Sequence, residues 1–396
     1  TQEVQRTEMQ ERKALRQPTS AGGLLYREIC RCCSEPCDLG DLEELEELKL
    51  TPPSPKDLSR VGVWLGEKAP PSSPPPANLK ARDLLFLDTE TTGLSRGAGT
   101  LAFMIGVGRF AGNGDDLEID QIVLDSPHRE AEGLDILAGY LDDARALVTF
   151  NGASFDLPVL RNRAVLCRQP HLATRLNALP HLDLLPPSRR LFGARLPNCR
   201  LGTLERQILG FTRRGDLPGA EVPLAYLRFL REGRATAIQE VLDHNFLDVA
   251  VLAVLLTRVI AHRFDPLRWA EDATELPAAG RIHSATNPPL ALACFQRSLE
   301  QPASSDLRRR AWIELARLRR RSGDLEGAAL AWDTFRREFP DRSEGWIELA
   351  KHHEHVTKEL QTAMRFAQGA PDHARADIEH RLVRLRRRLA AQHIAS

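Results

Sequence analysis

Apolar residues in the middle of the chain occur in short runs, and their spacing predicts strands that alternate with helices. Four large apolar residues at 84–87 are typical of a strand buried on both faces, and a turn at 91–93 ends it. Two β-prone runs, at 101–110 and 117–124, are joined by a turn at 111–114. The short connections between these three strands favour an antiparallel meander.

Helical periodicity follows the meander. Residues 130–142 predict a helix, and 146–150 predict the buried strand that this helix leads to. Apolar residues at helical spacing predict a long helix at 235–262. A meander followed by strand–helix units implies an α/β fold, with a mixed sheet of five to six strands flanked by helices.

The carboxyl-terminal part has an all-helical pattern and contains a repeat. Trp-Ile-Glu-Leu-Ala at 312–316 recurs at 346–350, a displacement of 34 residues. This period is typical of tetratricopeptide repeats, in which stacked helix pairs form a concave groove. We therefore predict an all-α, tetratricopeptide-like domain at 289–396 that ends in a basic helix. The usual role of such an array is to bind a protein partner, and the alternative is a scaffold that only shields the neighbouring domain.

Composition separates further regions. Residues 1–79 are polar and include a proline-rich stretch at 52–76, so we expect a partly disordered tail and linker there. The α/β domain is predicted at 80–263, and a second linker at 264–288. The longest uninterrupted apolar run, 249–256, is too short to cross a bilayer, so no membrane association is expected.

Charge and cysteine content narrow the functional classes. The formal net charge is zero, so any contact with nucleic acid has to come from local patches. The chain has seven cysteines, an odd number that favours reduced thiols and a cytoplasmic location over a disulfide framework. Four of them lie close together at Cys30, Cys32, Cys33 and Cys37, but their spacing is not a standard zinc pattern.

Two carboxylates stand at the end of the first predicted strand. Because side chains alternate along a strand, Asp88 and Glu90 share one face while Thr89 points to the other. Like charges that lose solvation cost stability unless a cation lies between them. A solvated turn is the alternative for this pair alone.

Two more acids occur in comparable settings. Asp156 follows the strand at 146–150, where it is either a helix cap or a ligand at the carboxyl end of the sheet. Asp248 lies in the apolar part of the long helix, and His244 precedes it by one turn. Four such carboxylates suit two Mg²⁺ or Mn²⁺ ions, which would promote an in-line phosphoryl displacement. His244 would then accept a proton from the attacking water.

Three motifs resemble those of the DEDD exonuclease superfamily, at 88–94, 150–156 and 244–248. Further segments at 181–185, 201–205 and 214–219 resemble the bacterial YprB-type ribonuclease H-like family, whose members can carry tetratricopeptide repeats behind the nuclease domain. The resemblance implies a ribonuclease H-like fold and hydrolysis of nucleic acids from the 3′ end. It implies metal binding by four residues, Asp88, Glu90, Asp156 and Asp248.

The same resemblance implies substrate contacts by Thr91, Leu94, Asn151 and Phe155, although packing is an equal explanation for Leu94 and Phe155. One departure concerns His244, which stands four residues before the last aspartate, where tyrosine-bearing members have their tyrosine. We predict a 3′–5′ exonuclease that acts on single-stranded DNA or RNA. The alternatives are an interaction scaffold with a weakly active or inactive nuclease fold, and a structure-specific endonuclease.

Overall fold

A computed structural model provides the fold. It describes residues 25–31, 53–68, 78–93, 99–111, 116–233, 238–371 and 375–395. Leu94 and three of the clustered cysteines lie outside these residues, and Cys30 is described only as part of a strand. Within this part of the chain there are two compact units, Thr1–Arg189 with Leu196–Phe264, and Arg190–Arg195 with Asp265–Ser396.

The first unit is built on a six-stranded sheet in the order β1-β4-β3-β2-β5-β6. The strands are β1 (Leu25–Arg31), β2 (Leu84–Thr91), β3 (Ala102–Phe110), β4 (Asp116–Val123), β5 (Ala146–Thr149) and β6 (His181–Asp183). The pairs β1–β4, β4–β3 and β3–β2 are antiparallel. The pairs β2–β5 and β5–β6 are parallel. The predicted mixed sheet is therefore confirmed.

Eight helices accompany the sheet in the described part of this unit. They are α1 (Pro55–Lys68), α2 (Glu130–Asp143), α3 (Asp156–Leu166), α4 (Pro170–Ala178), α5 (Leu185–Phe192), α6 (Leu201–Leu204), α7 (Val222–Glu232) and α8 (Gln239–Phe264). A π-helical turn, Glu205–Leu209, follows α6 directly. The structure thus begins the long helix later than the predicted 235.

Alternation along β2 divides the core between the two faces of the sheet. Leu85 and Leu87 pack with α2, α3 and α4, where Leu137 and Leu160 are fully buried. The opposite face packs against α8, and Gly106 of β3 makes this close approach possible. A Cβ atom at Gly106 would lie 2.3 Å from Oδ1 of Asn245.

α8 is the one helix of the described residues whose length and composition would allow it to cross a membrane. However, 67% of its most apolar stretch is buried within the fold, and it packs across β2, β3 and β4. Both features are typical of a core helix in a globular unit.

The region expected to be a partly disordered tail and linker, 1–79, contains two regular elements among its described residues. β1 pairs along its whole length with β4 and so covers the edge of that strand. α1 packs against α8 and buries Val61 and Trp64, and the guanidinium of Arg263 lies 5.1 Å from the Trp64 ring centroid. The polar composition of this region hid both, because an edge strand and an amphipathic helix each need apolar residues on one side only.

The second unit is helical throughout its described part. Its helices are α9 (Pro266–Trp269), α10 (Glu275–His283), α11 (Pro288–Glu300), α12 (Ser305–Arg321), α13 (Leu325–Glu338), α14 (Ser343–His355), α15 (Leu360–Gln368) and α16 (Arg375–Ala395). From α10 onward each helix packs against the next. The expected linker at 264–288 therefore contains α9 and α10, because Leu276 and Ala279 bury a helical face against Cys294.

The repeated pentapeptides occupy equivalent places in α12 and α14. Leu315 and Leu349 are both buried, and so are Ala316 and Ala350. At the end of the unit, the buried carboxylate of Glu354 is paired with three arginines of α16, Arg381, Arg384 and Arg388. These ion pairs attach the terminal helix to α14.

Candidate metal centre

β2 and α8 meet at Asp88, which the strand directs towards the helix. Nδ2 of Asn245 donates a hydrogen bond to Oδ2 of Asp88 at 3.0 Å. The amide of Asn245 is itself fixed, because Nε2 of Gln121 donates to its Oδ1 at 3.0 Å. This chain of contacts crosses from β4 to α8 and back to β2, so the strand end and the helix are held in register.

Two residues further along β2, Glu90 lies close to His244 and Asp248, which are one turn apart on α8. Nε2 of His244 lies 3.8 Å from Oε1 of Glu90 and 3.7 Å from Oδ2 of Asp248. The three ligand atoms all lie within 4.8 Å of one another, and among the described residues this is the group that could hold a metal ion. All three side chains are partly buried.

The loop after the π-helical turn provides hydrogen-bond partners for two residues of this group. Asp216 accepts a hydrogen bond from Nδ1 of His244 at 2.6 Å. Arg213 donates from Nη2 to Oδ1 of Asp248 and also pairs with Glu205. The Arg213 side chain is only 7% exposed. Its guanidinium is therefore committed to carboxylates and is not available to bind a phosphate.

Asp156 approaches the same strand from the other face of the sheet. It is the first residue of α3, it is buried, and its Oδ1 accepts a hydrogen bond from Oγ1 of Thr89 at 2.5 Å. Thr89 does point away from the Asp88 face, as alternation predicts. Asp156 does not belong to the three-atom group, but its charge acts on both Asp88 and Glu90.

The loop that leads to Asp156 is organised by Asp183 of β6. Its carboxylate accepts hydrogen bonds from the backbone N–H groups of Asn151 at 2.8 Å, Ala153 at 3.1 Å and Leu185 at 3.0 Å. Asn151 has a φ of 64°, in the left-handed region that asparagine tolerates better than most residues. This tight turn brings α3 to the end of β5.

The predicted substrate contacts differ in their surroundings. Asn151 is exposed and Phe155 is partly buried. Thr91 is buried, and its hydroxyl donates to the carbonyl oxygen of Gly93 at 2.8 Å, so the turn already uses it. Leu94 lies outside the described residues.

Burial dominates the electrostatics of the acids. It raises the pKa of Asp88 well above its usual range, and the charges of the other three acids add to that shift. It raises the pKa of Glu90 to about 8 although the imidazole of His244 opposes the change. It raises the pKa of Asp156 to about 6 in spite of the hydrogen bond from Thr89. Glu90 therefore needs a proton or a cation near neutral pH, and burial also disfavours the ionised forms of Asp88 and Asp156.

The pKa of His244 is also raised, but for a different reason. Burial acts to lower the pKa of His244, but the hydrogen bond to Asp216 and the charges of nearby carboxylates outweigh it. Together they raise the pKa to about 9. In the absence of a cation, the imidazole is therefore protonated near neutral pH.

Comparison with known proteins places this arrangement in a family. The RNase H superfamily matches residues 85–260. "Uncharacterized protein YprB" of Bacillus subtilis (strain 168) is 31% identical over 318 residues, which cover 78% of this chain and 74% of that protein. The chain belongs to the YprB family. Its first unit thus carries a ribonuclease H-like nuclease fold, as the motifs predict.

A solved structure also resembles this YprB-family protein. The family B DNA polymerase from the hyperthermophilic archaeon Pyrobaculum calidifontis matches with a TM-score of 0.36 and 14% sequence identity. The match covers 57% of this chain and 30% of the polymerase, so the chain spans less than a third of that protein.

The residues present fit a divalent ion. Carboxylate oxygens are the donors that Mg²⁺ and Mn²⁺ prefer, and Asp88, Glu90 and Asp248 supply them from two elements that the fold holds together. A bound cation would also compensate the charges that burial makes unfavourable. The donor atoms and the unfavourable charges of the acids therefore both fit a divalent-metal site.

The sequence pattern did not identify the residues that support the candidate centre. Asn245, Asp216 and Asp183 lie inside motifs that we recognised, but nothing in the sequence indicated what each of them contacts. Gln121 lies 124 residues from Asn245 in sequence, so only the folded sheet brings them together. The glycine at 106, within a run of β-prone apolar residues, was the available signal that a helix approaches closely there.

Proposed function

We propose that this YprB-family protein is a divalent-metal-dependent nuclease that hydrolyses phosphodiester bonds. The observation that carries the proposal is the convergence of Glu90, His244 and Asp248 beside Asp88 at one end of β2. Burial raises the pKa of Asp88 and of Glu90, so their ionised forms cost stability, and cation binding for catalysis is the best explanation of that cost.

In this proposal Asp88, Glu90, Asp156 and Asp248 hold two Mg²⁺ or Mn²⁺ ions. Such ions, when bound, activate water and stabilise the charge on a phosphate. The chain itself contributes orientation. Asn245 fixes the Asp88 carboxylate, Thr89 fixes Asp156, and Arg213 fixes Asp248, so each of these acids would hold an ion with little freedom to reorganise.

We further propose 3′–5′ exonuclease action on single-stranded DNA or RNA ends. The resemblance to the DEDD motifs supports this direction, and the position of the exposed Asn151 after β5 supports a substrate path at the carboxyl end of the parallel strands. Open α/β sheets place their ligands at this edge.

The test uses a single-stranded oligonucleotide labelled at its 5′ end, with Mn²⁺ or Mg²⁺. We expect progressive shortening from the 3′ end, and a loss of at least about a thousandfold in Asp88→Asn. Asp143→Asn is the matched control, because Asp143 is an exposed aspartate of α2. Equal activity in Asp88→Asn and the wild type would refute the proposal. Matched DNA and RNA strands identify the preferred sugar, and cutting of circular single strands would indicate an endonuclease.

For the second unit we propose tetratricopeptide-like repeats that bind a protein partner. The equivalent burial of the repeated leucines and alanines in α12 and α14 supports this. Leu330 of α13 is 62% exposed and gives a place to disturb such a surface. We expect a co-purifying protein to be lost in Leu330→Glu, while nuclease activity persists. A full chain that purifies with no partner, or with the same one in Leu330→Glu, would count against this role.

A further inference from the structure

The two ring nitrogens of His244 differ in their contacts, and together these contacts suit a metal ligand. Nε2 faces Glu90 and Asp248 at 3.8 and 3.7 Å, within the group of three ligand atoms. Nδ1 donates to Asp216 at 2.6 Å. A histidine that binds a metal usually donates its other ring N–H to a carboxylate, which fixes the tautomer and the direction of the free nitrogen.

The aspartate of the group is supported in the same way. Arg213 occupies Oδ1 of Asp248, and Oδ2 is the oxygen that faces His244. Glu205 holds Arg213 in place. Hydrogen bonds therefore hold Oδ1 of Asp248 and Nδ1 of His244. Oδ2 of Asp248 and Nε2 of His244 face a common space with Oε1 of Glu90.

We propose that His244 is a metal ligand through Nε2, and that this nitrogen makes the site select a first-row transition ion such as Mn²⁺ over Mg²⁺. Imidazole is a good ligand for transition ions, whereas Mg²⁺ prefers oxygen donors alone. The inference rests on the proposed function, because the same ion serves the nuclease reaction. Asp216 is then a positioning residue, and His244 is not the group that takes a proton from water.

The experiment measures Mn²⁺ binding to the full chain by electron paramagnetic resonance, without any nucleic acid. Pulsed measurements on the bound ion report whether a nitrogen atom is coordinated. Competition with Mg²⁺ then gives the selectivity. The variants are His244→Gln and Asp216→Ala, with His171→Gln as control, because the side chain of His171 is 75% exposed. Thermal unfolding confirms that each variant is folded.

We expect nitrogen coupling to Mn²⁺ in the wild type and in His171→Gln, and none in His244→Gln. Mn²⁺ affinity should fall by about 10- to 100-fold in His244→Gln and about tenfold in Asp216→Ala, with a smaller change for Mg²⁺. Bound Mn²⁺ without nitrogen coupling, or coupling that persists in His244→Gln, would overturn the inference. So would a chain that binds no Mn²⁺ but is active with Mg²⁺. If Mn²⁺ binds with nitrogen coupling and no nuclease activity is found, only the proposed function fails.

Discussion

Asn245 of α8 donates from Nδ2 to Oδ2 of Asp88 in β2 over 3.0 Å. This bond is one of several polar contacts in a helix–sheet interface where Val249 also packs beside the glycines of β3. It sets how far the helix stands from the strand. Because Glu90 lies on β2 while His244 and Asp248 lie on α8, the same spacing determines the geometry of the candidate centre.

Gly106→Ala should damage both stability and metal binding. The new methyl group would lie 2.3 Å from Oδ1 of Asn245 and 2.7 Å from Cγ2 of Val249, so α8 has to move outward. We expect a loss of about 1–3 kcal/mol in the free energy of unfolding, measured by denaturant titration. Gly139→Ala is the control, because that helical glycine has nothing within 4 Å of a Cβ. The unfolding free energy of Gly139→Ala should rise by about 0.5–1 kcal/mol. A Gly106→Ala variant as stable as the wild type would contradict the close approach of α8 to β3.

The metal-free protein should lose stability as the pH rises. The folded pKa values of Asp156, Glu90 and His244 are raised, to about 6, about 8 and about 9. Each group stabilises the folded state below its unfolded pKa, and that contribution is lost as the pH rises through the folded value.

Thermal unfolding in a chelator should therefore show a melting temperature that falls between pH 6 and pH 9. Added Mn²⁺ should remove this trend, since the ion binds the ionised acids and the neutral imidazole. Glu90→Gln should reduce the slope in the chelator. A melting temperature that is constant or rises over this range without metal would contradict the electrostatic description.

Arg213→Met should be among the most destabilising changes in the first unit. It leaves the buried carboxylate of Glu205 without its cation and frees Oδ1 of Asp248. Breaking one side of a buried ion pair costs about 3–5 kcal/mol. Arg297→Met serves as control, because Arg297 and Glu300 form a pair in which both side chains are mostly exposed. Its unfolding free energy should change by less than about 0.5 kcal/mol, and equal effects of the two changes would refute the buried network.

Asp183→Asn should loosen the loop before Asp156. The substitution removes one of the acceptors for the N–H groups of Asn151 and Ala153, and it costs about 1–3 kcal/mol. Amide hydrogen exchange should accelerate at these two residues, and nuclease activity should fall because Asp156 is less well placed. Asp143→Asn should leave both measurements unchanged. Unaltered exchange in Asp183→Asn would show that the loop does not depend on this carboxylate.

The sequence was sufficient for features that depend on local pattern. The strand at 84–87, the meander and the long helix are periodic apolar segments, and the four acids stood out because each adjoins one of them. What could not be predicted depends on contacts between distant segments. Arg213 was one arginine among many, and its pairing with Asp248 arises only when the loop folds over α8. In α1, polar composition outweighed the apolar positions Val61 and Trp64, which the folded unit buries.

β1 has a consequence for any shortened form of the protein. It occupies the outer side of β4, whose backbone N–H and C=O groups would otherwise face solvent as a template for another strand. A fragment that begins near residue 80 keeps every residue of the candidate centre yet leaves this edge bare. Such a fragment would also lack α1, which packs against α8. It would be prone to self-association, and its aggregation would reflect these missing elements and not a defect in the catalytic chemistry.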